Sequence, residues 1–134
     1  MMAVNSTRNT ILAENMARAE SFLARLKGLL GRAELPPGRG LLLEPCRSVH
    51  TCFMRFPIDV IFLNMEGKII YLVAKMKPYK ATPYVKRACR ALELPAGILS
   101  QSGSVLGDTV NLLGGNPYEK EKQRSKTKKL FYNV

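Results

Sequence analysis

Tryptophan is absent from this chain, and histidine occurs once, at position 50. A single histidine rules out a Cys2His2 finger. Cysteine is scarce too: Cys46, Cys52 and Cys89 cannot all pair within one chain, so a disulfide scaffold is not expected. Buried free thiols are expected instead, because free cysteine behaves as a small apolar residue. No apolar run approaches the roughly 18–20 residues of a membrane-spanning helix. Met1–Arg8 has no basic segment followed by an apolar core, so no secretory leader is expected and a cytoplasmic location is. Acids are few, 10 Asp and Glu against 21 Lys and Arg, for a formal net charge of +11.

What is present suits one globular domain. The chain has 134 residues, 46% of them hydrophobic, enough to bury a core without staples. Residues 1–115 are expected to form that domain, and the charged, polar residues 116–134 a basic, flexible tail. Asn9–Ala13 can begin a strand. From Glu20 to Leu30 the spacing of Phe22, Leu23, Leu26, Leu29 and Leu30 predicts a helix, which Met16 and Ala19 extend back toward Asn15. Leu41–Leu43, Arg47–Met54, Ile58–Leu63, Lys68–Lys75, Ala88–Leu94 and Thr109–Leu113 read as strands. Asn64–Gly67 is the loop of a hairpin, and Pro95-Ala96-Gly97 opens a turn leading to a helical turn ending at Ser102. The expected fold is α+β: a small, strand-rich domain with one N-terminal helix and a mostly antiparallel sheet curled toward a barrel.

The charge is unevenly placed. Between Gly67 and Leu92 stand Lys68, Lys75, Lys77, Lys80, Lys86, Arg87 and Arg90 with no acid among them. The tail adds six basic residues against Glu119 and Glu121. Such a field favours an anionic partner, whether acidic protein, nucleic acid or anionic surface, through Lys75, Lys77, Lys80, Lys86, Arg87 and the tail. A solvated basic face that keeps the protein soluble is the blander explanation. No RNP-type aromatic motif or helix-turn-helix supplies sequence-specific reading.

Several short motifs recur in a fixed order. They are Arg25-x-x-Gly28-Leu29-Leu30-Gly31-Arg32, Gly40-Leu41-Leu42-Leu43, Phe53-Met54 and Pro57-Ile58-Asp59-Val60-Ile61-Phe62-Leu63, then Leu92-Glu93-Leu94-Pro95-Ala96-Gly97 and Gly107-Asp108. Together they resemble the DUF192 family of small bacterial and archaeal domains, over about residues 10–113. Many relatives carry a longer Trp-Met-x-Asn-Thr-type segment, whereas here only Arg55 and Phe56 separate Met54 from Pro57. The resemblance implies a compact strand-rich fold and no particular activity.

Candidate site residues cluster in Ser48–Asp59. On an extended segment, period two puts Ser48, His50, Cys52 and Met54 on one face. His, Cys and Met suit zinc or cuprous copper. With Cys46 they give Cys46-x3-His50-x-Cys52, which matches no standard zinc spacing. His50 and Cys52 would stand roughly 7 Å apart along a strand, beyond the about 2.6–3.2 Å that nucleophile activation needs. Asp59, an acid entering an apolar strand, needs partners if buried, and Arg25, Arg55 and His50 are candidates. It either ties the strand entry to a loop or lines a small polar pocket with His50 and Thr51, and Glu93 is similarly ambiguous.

The ligand-binding set is therefore His50, Thr51, Cys52, Met54, Asp59, Arg25 and Glu93. The favoured function is a non-catalytic binding or accessory domain with a shallow polar pocket near His50 and Asp59 and a basic surface. One alternative is a small metal- or thiol-dependent enzyme using His50, Cys52 and Asp59. Another is non-specific binding of anions or nucleic acid through the basic face and tail. No catalytic residue, resident metal or cofactor is expected.

Overall fold

A computed structural model of the protein describes residues 1–19 and 34–114. Its strands are β1 (Met2–Asn5), β2 (Thr10–Ala13), β3 (Asn15–Ala19), β4 (Arg39–Leu43), β5 (Ile58–Leu63), β6 (Ile69–Met76), β7 (Arg90–Pro95) and β8 (Val110–Leu113). One short helix, α1 (Ile98–Ser102), lies between β7 and β8. The strands form a three-stranded sheet in the order β2-β1-β8 and a five-stranded sheet in the order β3-β4-β7-β5-β6. All pairings are antiparallel except β3 with β4.

The central strands of the five-stranded sheet are buried on both faces, which explains why β5 is an unbroken run of buried residues rather than an alternating one. Its side chains divide by parity. Ile61 and Leu63 join Leu42, Leu92 and Leu94 in a cluster shared with Ala3, Leu12 and Val110 of the smaller sheet and Leu99 of α1. Ile58, Val60 and Phe62 face the other way with Leu41, Leu43 and Ala91. That second face is covered by Val49, Met54 and Ala88, which belong to long loops and not to strands.

Four expectations need revision. Among the described residues the chain is mostly β, in two sheets that do not close into a barrel. Asn15–Ala19 is a strand and not the start of a helix. Met16 and Ala19, three apart, share a face on a helix but diverge on a strand, and here they enter opposite core clusters. Arg47–Met54 forms no strand, because its backbone pairs irregularly with a second loop. Met2–Asn5, unassigned by its sequence pattern, is the central strand of the smaller sheet. The helix expected over Glu20–Leu30, Arg25 within it, and the tail 116–134 lie outside the described residues.

The β5–β6 hairpin turns as its sequence predicts. The Asn64 side-chain oxygen accepts the amides of Glu66 (3.0 Å) and Lys68 (2.9 Å). Gly67 has φ +80°, and a Cβ there would stand 2.9 Å from the Val110 carbonyl oxygen. Gly67→Ala therefore combines left-handed strain with a backbone clash and is expected to cost about 2 kcal/mol. Urea unfolding checks this, and a variant as stable as the wild type would contradict it.

Candidate functional site

Asp59 enters β5 where its pairing with β6 is irregular: Ile58 faces Met76, but Val60 faces Val73. The extra residue bends β6 at Lys75, which takes φ +49° and turns its amide away from the ladder. Asp59 Oδ1 accepts that amide at 2.7 Å. Oδ2 accepts the amides of Gly97 (3.1 Å) and Leu99 (2.8 Å), two orphan donors at the start of α1. This fully buried carboxyl thus ties β5 to the β6 bulge and to α1. Its partners are three main-chain amides and not Arg55 or His50.

Thr51 performs the corresponding task on the opposite face. Segments 46–51 and 79–89 run past each other as an irregular ribbon. Cys46 N–H donates to Cys89 O, Val85 N–H to Arg47 O and Thr82 N–H to Val49 O, at 3.1, 2.7 and 2.9 Å. At its end, Thr51 N–H donates to Lys80 O (2.8 Å), and Thr51 O accepts from Tyr79 N–H (2.9 Å) and Met54 N–H (3.1 Å). The Thr51 hydroxyl donates to Lys77 O at 2.6 Å and accepts from Lys80 N–H at 2.9 Å. The side chain is fully buried.

This knot decides where the neighbouring side chains go. The Met54-to-Thr51 hydrogen bond closes a turn, so period two fails across Ser48–Met54. His50 is exposed opposite Ala81, Cys52 is half-buried in the turn, and Met54 is buried in the core. Phe53 and Tyr79 are exposed instead, with ring centroids 5.7 Å apart in an edge-to-face arrangement. Both have left-handed backbones, φ +64° and φ +60°. For bulky residues that costs on the order of 1–3 kcal/mol each and persists only where surrounding structure enforces it. Tyr79 and Tyr84 were not singled out from the sequence, although each follows a proline in the acid-free stretch, as Pro78-Tyr79-Lys80 and Pro83-Tyr84.

Around these rings the ribbon is one-signed. Arg47, Arg55, Lys75, Lys77, Lys80, Lys86 and Arg87 are all exposed, and none forms an ion pair among the described residues. Residues 45–58 and 67–92 contain no acid. Arg90 differs, standing 3.6 Å from the Glu44 carboxylate. Among the described residues no group of three His, Cys, Asp or Glu side chains is placed to hold a metal ion.

Two other buried carboxyls behave oppositely. Burial alone would push Asp108 up, but hydrogen bonds from Asn5, Arg8 and the Val105 amide, with the Arg8 charge, hold it below its usual range. Glu93 sits in the middle of the five-stranded sheet, opposite Leu41 on β4 and Val60 on β5. Its Oε2 has no hydrogen-bond partner among the described residues, and burial pushes the carboxyl up to about 7. Between the ordinary 4.5 and about 7, the folded state holds the proton more tightly than the unfolded chain. Stability should therefore decline as pH rises through that window. Urea unfolding from about pH 5 to about pH 8 should show the decline in wild type and lose it in Glu93→Gln; parallel curves would contradict it.

The fold recurs in solved structures. A protein of unknown function from Novosphingobium aromaticivorans superposes with a TM-score of 0.71 at 20% identity, covering 83% of this chain and 82% of that one. A candidate transcription regulator from Sinorhizobium meliloti gives 0.64 at 21% identity, covering 72% and 79%. Among sequence relatives, a UPF0127 protein of Pyrococcus furiosus is 30% identical over 110 residues, 78% of this chain and 92% of its own length. Another, from Thermococcus sibiricus, is 24% identical over 128 residues, covering 92% and 79%. The model of the DUF192 family, described as uncharacterized ACR, matches residues 3–112. With nearly all of both sheets inside that match, the chain belongs to the DUF192 family.

Proposed function

We propose that this chain is a non-catalytic binding domain that engages an anionic partner through the ribbon formed by residues 46–57 and 75–89. The observation that carries this reading is the set of seven exposed Lys and Arg side chains on an acid-free ribbon. Like charges held together repel one another, and an anionic partner relieves that repulsion while releasing its own counterions. The tail contributes six further basic residues to the chain's positive charge.

The division of labour among the candidate residues favours binding over catalysis. An enzyme built on His50, Cys52 and Asp59 needs the Asp59 carboxylate, but its oxygens are taken by the amides of Lys75, Gly97 and Leu99. Thr51 is likewise occupied with the main chain of residues 77–80. In this reading Asp59, Thr51, Met54 and Glu93 build the scaffold, while His50 and the basic side chains form the contact surface.

Heparin supplies a polyanion without bases. Its affinity should fall linearly with salt on logarithmic axes, and Lys77→Glu/Lys80→Glu or Lys86→Glu/Arg87→Glu should weaken binding and make the slope shallower. Binding indifferent to salt, or to both double variants, would contradict the proposal.

A further inference from the structure

Charge alone does not account for the aromatic rings on the ribbon. Phe53, Tyr79 and Tyr84 are 72%, 64% and 68% exposed, against the ordinary tendency of such rings toward burial. Phe53 and Tyr79 come from separate loops and are brought together by the Thr51 hydrogen bonds, each on a left-handed backbone. Strain of that kind at an exposed position marks a place where side-chain direction matters more than local stability.

Resting on the polyanion reading above, we infer that the partner is single-stranded nucleic acid. Unpaired bases stack on Phe53 and Tyr79, and on Tyr84, while Lys75, Lys77, Lys80, Lys86 and Arg87 follow the phosphates. Basic side chains interleaved with exposed rings are what single-strand binding requires, because every base has a π-face and every nucleotide a charge. A duplex keeps its bases stacked internally and offers nothing to these rings.

An anionic membrane would attract the same charge, but a surface that inserts into lipid gains from exposed aliphatic side chains beside its rings. The exposed large apolar residues on this ribbon are all aromatic, and two carry hydroxyls. Met65, Val105 and Leu106, the exposed aliphatic ones among the described residues, lie outside it.

The test uses the full-length chain and fluorescence anisotropy with a labelled thymidine oligonucleotide of about 12 nucleotides, within single-strand site sizes. The same length as duplex, heparin, and vesicles containing phosphatidylserine serve as comparisons. The single strand should bind more tightly than the duplex. Phe53→Ala and Tyr79→Ala should each weaken it about tenfold or more while leaving heparin affinity within about twofold. Tyr79→Phe, which keeps the ring, should bind like wild type; thermal unfolding followed by circular dichroism establishes that each variant is folded. Equal affinity for single strand, duplex and heparin, with no effect of removing the rings, would overturn the inference and leave the polyanion reading standing. Binding to vesicles but not to the oligonucleotide would overturn it in favour of a membrane surface. No binding to any polyanion at low salt would overturn both.

Discussion

Two loops crossing the same sheet face hold together only if their main-chain N–H and C=O groups find partners, and at one end of this ribbon Thr51 supplies them. Its amide, carbonyl and hydroxyl together engage Lys77, Tyr79, Lys80 and Met54. A buried hydroxyl suits the task because it donates and accepts at once. A methyl in its place would leave the Lys77 carbonyl and the Lys80 amide without that partner, at roughly 1–3 kcal/mol for each group that stays buried. The arrangement of Phe53 and Tyr79 follows from this knot: the turn at Cys52 and Phe53, the approach of Tyr79 and the edge-to-face pair.

The two faces of the five-stranded sheet manage their carboxyls differently. Asp59 turns toward main-chain donors, and its two oxygens accept amides that a β-bulge and a helix start leave unpaired. Glu93, in the middle of the sheet, has Leu41 and Val60 as its register neighbours. The first carboxyl is surrounded by donors, whereas burial without a partner for Oε2 raises the second to about 7. Both carboxyls act within the scaffold, beneath the exposed basic surface.

Much of the fold was legible in the sequence from apolar runs and the turn residues that bound them. Leu41–Leu43 lies within β4, and Ile58–Leu63 is β5 itself, since long apolar runs bounded by Pro, Gly and Asn fit little else. The β5–β6 hairpin and the helical turn ending at Ser102 were readable from turn residues. Strands β1 and β3 were not. Met2–Asn5 has too few residues to show a period, and Met16 with Ala19 mimics helical spacing although the strand sends them to opposite faces. The candidate site was legible as a stretch but not as an arrangement. That Asp59 would meet amides 16 to 40 residues away, and Thr51 carbonyls up to 29 away, depends on long-range pairing no local pattern encodes. Once period two failed at the Thr51–Met54 turn, the exposed residue was Phe53, with Cys52 half-buried and Met54 in the core.

Thr51 sets the geometry of the Phe53–Tyr79 pair, and Thr51→Val examined by NMR tests this most directly. The variant should keep the β5–β6 and β5–β7 cross-strand contacts. It should lose the Phe53–Tyr79 ring contacts and the exchange protection of the Lys80 amide, which donates to the hydroxyl. Ring contacts and Lys80 amide protection unchanged from the wild type would contradict the account, because the main-chain hydrogen bonds between the loops would then set the ring geometry without the hydroxyl.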